Sequence, residues 1–135
     1  MAIKVLLADD SEVMLSAIRK LIEEEPRLEF VGEASSFAKT MQMIADFKPE
    51  VLVLDLHMAE KRDFGPALVK SQLVSVDHVL AVSFSNDAEA KALAESYGAE
   101  ILLDKMNLYS QLVPEILQRH TTVRSERIDS ASAAG

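Results

Sequence analysis

Residues 51–58 read Val51-Leu52-Val53-Leu54-Asp55-Leu56-His57-Met58. An unbroken apolar run ending at a lone carboxylate describes a strand covered on both faces and stopping at a polar edge. A strand with one wet face would alternate apolar and polar residues instead. Ile3 to Ala8 runs into Asp9-Asp10-Ser11 in the same way, and Val79 to Val82 runs into Ser83. Three such runs predict a parallel sheet with helices on both sides.

Working outward, strands are expected over Ile3–Ala8, Leu28–Ala34, Val51–Leu56, Val79–Ser83 and Ile101–Leu103. Helical spacing fills the gaps between them. Met14, Ile18, Leu21 and Ile22 follow Ser11, a suitable N-cap, and Pro26 closes that helix. Phe37, Met41, Ile44 and Ala45 mark a second helix ended by Pro49. A third is expected over Pro66 to Leu73. A fourth, Asp87 to Tyr97, is stopped by Gly98. Leu108, Leu112 and Ile116 lie at i+4 spacing on the fifth. Strand–helix alternation of this kind needs right-handed crossovers and gives a doubly wound α/β sandwich of three layers. Residues 1–119 form the expected single domain, and the Ser- and Ala-rich segment 120–135 is expected to be a disordered tail.

Composition limits the function. Net charge is −8, from 14 Lys and Arg against 22 Asp and Glu, which disfavours a nucleic-acid surface. Cysteine is absent, so disulfides and thiolate metal sites are excluded. No apolar run approaches the ~20 residues that span a bilayer. The N-terminus lacks the pattern of a secretion signal, and a cytoplasmic location is expected.

The chemistry concentrates at the carboxyl ends of the strands. Asp9 and Asp10 end the first, Asp55 the third, Ser83 the fourth, and Asp104-Lys105 the fifth. Ligands of open α/β sheets bind outside that edge. Clustered carboxylates resist ionisation unless a cation compensates them, and magnesium takes oxygen ligands of this type. With Lys105 and the Ser83 hydroxyl beside it, a carboxylate is equipped to attack phosphorus and hold the product.

Four pieces, Leu7-Ala8-Asp9-Asp10-Ser11, Val53-Leu54-Asp55-Leu56-His57-Met58, Ala81-Val82-Ser83 and Gly98-Ala99 through Asp104-Lys105, resemble the receiver domain of bacterial two-component response regulators, the chemotaxis-regulator-like family. The resemblance covers about residues 2–119. It implies a flavodoxin-like fold with strand order 2-1-3-4-5. It implies that Asp55 accepts a phosphoryl group from a sensor histidine kinase or phosphotransfer protein, and that the phosphorylated chain alters binding to a downstream protein. Asp10 would bind magnesium directly and Asp9 mostly through water, with the backbone carbonyl of His57 as a further ligand. Ser83 would be the switch hydroxyl, and Lys105 would pair with the phosphoryl group.

The chain also departs from that pattern. Ala59 and Met106 stand where proline is usual, and the loop Glu60-Lys61-Arg62-Asp63-Phe64-Gly65 is one residue longer. Because a cis non-prolyl peptide costs about 2.5–4 kcal/mol, Lys105–Met106 is expected to be trans. Phe84 occupies a position that is typically small, and a ring beside the acceptor could slow dephosphorylation. Leu102 stands where a switch aromatic is usual, which puts the ordinary coupling in doubt. His57 lies near the site mouth, where it could tune hydrolysis.

Two alternatives follow. One is a receiver fold that binds partners without phosphorylation. The other is a magnesium-dependent aspartyl phosphohydrolase. That reading expects Asp-x-Asp on the first strand, whereas the chain has Asp9-Asp10-Ser11.

Overall fold

The computed structural model describes residues 2–58 and 65–134, the side chains only as far as Thr121. Five strands, β1 (Ile3–Ala8), β2 (Leu28–Ala34), β3 (Val51–Asp55), β4 (His78–Ser83) and β5 (Ile101–Asp104), alternate with α1 (Glu12–Glu23), α2 (Phe37–Phe47), α3 (Pro66–Leu73), α4 (Ala88–Ser96) and α5 (Leu108–Ala134). All strand pairs are parallel, in the order β2-β1-β3-β4-β5. This is the doubly wound sheet that the sequence predicts.

The unbroken apolar runs have their reason in the two cores. Leu52, Leu54, Leu6 and Ala8 pack with Phe37, Ile44, Val69 and Ala94, from α2, α3 and α4. Val51, Val53, Val5 and Leu7 pack with Leu15, Ile18, Leu112 and Ile116, from α1 and α5. Successive side chains of one strand thus feed opposite cores, and both faces favour apolar residues. Truncating a side chain such as Leu54, fully buried, would cost about 2–5 kcal/mol.

The local signals work as read. Ser11 caps α1 by accepting the Met14 N–H; Ser36, which the sequence reading did not single out, caps α2 by accepting that of Lys39. Gly98 takes the left-handed conformation after α4, φ +83, which costs a glycine nothing. Met58 is fully buried, and Met41 and Met43 pack against the α2–α4 core as gap fillers.

Several details differ. β3 ends at Asp55 rather than Leu56, although the Leu56 N–H still reaches the Val82 carbonyl at 3.2 Å. β4 begins one residue earlier and β5 ends one residue later than expected. α2 ends at Phe47, and its C-cap Lys48 adopts φ +48 ahead of Pro49. The β1–β2 register slips between Val5 and Leu6, leaving Val31 unpaired as a bulge beside Gly32. The expected end of the folded unit at Arg119 lies inside α5, whose backbone stays helical to Ala134. Residues 120–134 contain neither glycine nor proline to stop it. The longer loop expected over 60–65 lies outside the described residues, except for Gly65.

Candidate functional site

Parallel pairing brings all five strand ends to one edge. The site forms where β1 has β2 on one side and β3 on the other, the point at which the strand order reverses. There a cleft of about 410 Å³ is lined by Asp10, Ser11, Asp55, His57, Ser83, Phe84, Ser85 and Lys105.

Asp9, Asp10 and Asp55 each offer a carboxylate oxygen within 4.8 Å of the others. Asp9 and Asp55 are buried and Asp10 is exposed. Each buried carboxylate is fixed by a backbone N–H two residues on: Ser11 N–H to Asp9 Oδ1 at 2.8 Å, and His57 N–H to Asp55 Oδ1 at 3.1 Å. Lys105 reaches in from the end of β5. Its Nζ lies 2.9 Å from Asp9 Oδ2 and 3.3 Å from Asp55 Oδ1. Asp9 Oδ2 is buried without a hydrogen bond of good geometry; the ion pair is its contact.

Magnitudes show why this cluster is not there for stability. One pair at about 2.9 Å gains roughly 5–6 kcal/mol gross at an effective dielectric near 20. Desolvation takes back several kcal/mol for each ion. A second buried carboxylate, Asp55, then shares the same ammonium. Burial accordingly pushes the Asp55 carboxyl above its ordinary value; the His57 N–H and Lys105 oppose this, and the Asp9 charge adds to it. Three carboxylates gathered at one edge are the oxygen donor set that a hard divalent cation takes.

Ser83 is buried at the end of β4, and its Oγ accepts the Ser85 N–H at 3.0 Å. The His57 ring Nε2 lies 3.1 Å from the same oxygen. His57 therefore belongs to the site through its side chain, which the sequence placed only near the mouth. Phe84 is 63% exposed with its ring centroid 5.1 Å from Lys105 Nζ, so it stands over the lysine at the rim rather than over the acceptor. Leu102 pairs with Ala81 and packs against the α2–α4 core, away from the charged cluster. No peptide bond among the described residues is cis, so Lys105–Met106 is trans as expected. Asp104 accepts the Met106 N–H and starts the 3-10 turn Lys105–Asn107 that aims the lysine inward.

Two residues beside the site were given no role from the sequence. Ser85 supplies the N–H that holds Ser83. Asp87 caps α4 through the Ala90 N–H at 2.9 Å. That bond, then one from the Ser85 side chain, holds the Asp87 carboxyl below its ordinary value. Ser83, Ser85 and Asp87 alternate along the chain, a readable signal once the strand end is fixed.

Comparison with known proteins gives the family and the fold. The family model described as response regulator receiver domain matches residues 5–117. A protein-glutamate methylesterase/protein-glutamine glutaminase 2 of Shewanella oneidensis is 32% identical over 99% of this chain, and the chain spans 38% of that protein. A related methylesterase/glutaminase of Pyrococcus horikoshii is 30% identical over 72% of this chain, and the match spans 27% of it. Among solved structures, the receiver domain of an HD domain-containing protein of Pseudomonas fluorescens superposes with a TM-score of 0.77 at 19% identity, covering 93% of this chain and 92% of that one. The response regulator domain of Thermotoga maritima CheB gives 0.70 at 23%, covering 88% and 93%. No helix among the described residues is long and apolar enough to cross a membrane.

Proposed function

Because this chain belongs to the response regulator receiver domain family, as its match over residues 5–117 shows, we propose that Asp55 is its phosphoacceptor. The donor is a sensor histidine kinase or a phosphotransfer protein, and the output is altered binding to a downstream protein. The observation that carries this reading is Lys105 Nζ set between Asp9 Oδ2 and Asp55 Oδ1, with three carboxylates within 4.8 Å.

Each residue has a role in that chemistry. An Asp55 oxygen attacks phosphorus, the new O–P bond replaces the P–N bond of the donor, and the departing imidazole takes up a proton. His57 N–H and Lys105 hold Asp55 in one orientation before attack. Lys105 then pairs with the phosphoryl oxygens, and Ser83 donates its hydroxyl proton to one of them. Asp9, Asp10 and Asp55, with the backbone carbonyl of His57, would hold Mg2+, which neutralises charge on the transferring group. The chain acts as an acceptor of phosphate rather than as an enzyme on a separate substrate. Its action falls on the cytoplasmic side, where such donors present their phosphohistidine. The unit concerned is residues 1–119, with 120–135 a tail outside the site.

The relatives named above are longer than this chain, and the ester- and amide-cleaving activities in their names are theirs. The test is direct. The protein is incubated with acetyl phosphate, with and without MgCl2. A magnesium-dependent phosphoryl adduct supports the reading, and its absence rejects it.

A further inference from the structure

The four strand ends that meet at the site are closed in the same way. In each, a side-chain oxygen accepts the backbone N–H two residues on. Asp9 Oδ1 takes that of Ser11 at 2.8 Å, Asp55 Oδ1 that of His57 at 3.1 Å and Ser83 Oγ that of Ser85 at 3.0 Å. At the end of β5, Asp104 Oδ1 takes that of Met106 at 2.9 Å. Aspartate and serine make such turns because their short side chains reach their own backbone two residues on.

The fourth turn differs in one respect. In the first three, the accepting side chain is itself the group that enters the site. In the fourth, the next residue enters instead: Lys105, which reaches Asp9 Oδ2 and Asp55 Oδ1. The last ladder pair of β4 and β5 is Ser83 with Asp104, so Lys105 begins where the sheet no longer fixes the backbone. Its ammonium sits on a flexible stem with many rotamers. The bond from Asp104 to Met106 closes over Lys105 and sets its direction. Met106 makes that bond possible. A proline there would have no N–H to give, and would disfavour the helical conformation in which Lys105 opens the 3-10 turn Lys105–Asn107.

We propose that Asp104 is a positioning residue for phosphoryl transfer, acting through Lys105 and by its hydrogen bond rather than its charge. The inference rests on the phosphoacceptor reading above. It adds a residue that belongs neither to the carboxylate cluster nor to the lining of the cleft.

Two substitutions separate bond from charge. Asp104→Asn keeps the accepting oxygen and loses the charge. Asp104→Glu keeps the charge and carries it one carbon beyond the turn. The full chain is followed by intact mass over time with acetyl phosphate and saturating MgCl2. Asp104→Glu and Asp104→Ala are expected to gain the adduct about tenfold more slowly than wild type, the scale on which a lost side-chain cap depletes the capped conformer. Asp104→Asn is expected to keep the wild-type rate. Adding Asp104→Ala to Lys105→Met slows nothing further, because the lysine through which Asp104 acts is gone. A second readout needs no phosphodonor. The Lys105 ammonium signal in 15N NMR, slow to exchange while two carboxylates hold it, should persist in wild type and Asp104→Asn and be lost in Asp104→Ala and Asp104→Glu. Wild-type rates in Asp104→Ala or Asp104→Glu, an Asp104→Asn as slow as Asp104→Ala, further slowing in the double variant, or an ammonium signal indifferent to residue 104 would each overturn the proposal. A wild type that gains no adduct removes the phosphoacceptor reading itself, and the ammonium signal still tests whether Asp104 positions Lys105.

Discussion

Lys105 pairs more closely with Asp9, at 2.9 Å, than with Asp55, at 3.3 Å, and all three side chains are nearly buried. The ammonium therefore partners both buried carboxylates, and it competes with any cation for their oxygens. Lys105→Met should cost about 3 kcal/mol without divalent ions, the low end for breaking a buried pair, because the cleft mouth is open. It should also enlarge the rise in melting temperature that MgCl2 produces. A thermal melt with and without MgCl2 checks both; a smaller magnesium effect in the variant would contradict the competition.

The raised Asp55 carboxyl makes a second prediction, with a definite sign. Burial disfavours its ionised form in the folded chain. At low pH it is protonated in both states and takes nothing from stability. As pH rises past the ordinary value of about 3.9, the unfolded chain ionises first and stability falls until the folded carboxyl has ionised too. Asp55→Asn, which cannot ionise, should thus melt higher than wild type at neutral pH without divalent ions. The gap should close as pH falls through the carboxylate range. A gap that widens on acidification would show that Lys105 outweighs burial.

Phe84 stands over Lys105 at the rim. A cation–π contact at such an exposed place is worth about 0.5–1 kcal/mol, enough to keep the ring there and narrow the approach of water. Phe84→Ala should shorten the lifetime of the Asp55 phosphoryl group severalfold, followed as loss of adduct mass with time. An unchanged lifetime would show that the ring does not guard the bond.

Much of this architecture was legible in the sequence because its signals are local. Val51 to Leu54 could only be a strand covered on both faces, and the carboxylates fell at strand ends. Parallel strands then had to collect Asp9, Asp10, Asp55, Ser83 and Lys105 at one edge. What stayed hidden depended on spatial register. The His57–Ser83 contact spans 26 positions and follows from the order β3-β4, not from spacing. His78 is buried with Nδ1 2.7 Å from Glu100 Oε1, a bond set by where β5 begins beside β4. Lys48 gives no sign of its left-handed backbone, since glycine is the residue that signals it.

The end of the unit is open to a plain test. The match to the family model ends at residue 117. A chain ending after Thr121 keeps the ion pairs of Arg119 with Glu100 and Glu115 and the contact of the His120 ring with Glu50. It should match the full chain in melting temperature and adduct formation; a clear loss in either would assign residues 122–135 to the domain.

The most direct test of the central claim is the intact mass of the full chain after acetyl phosphate and MgCl2, with the modified residue mapped by fragmentation, beside Asp55→Asn treated identically. The account predicts one phosphoryl group on the wild type, located at Asp55, and none on the variant. A wild type that stays unmodified, or an equal adduct on Asp55→Asn, would contradict it.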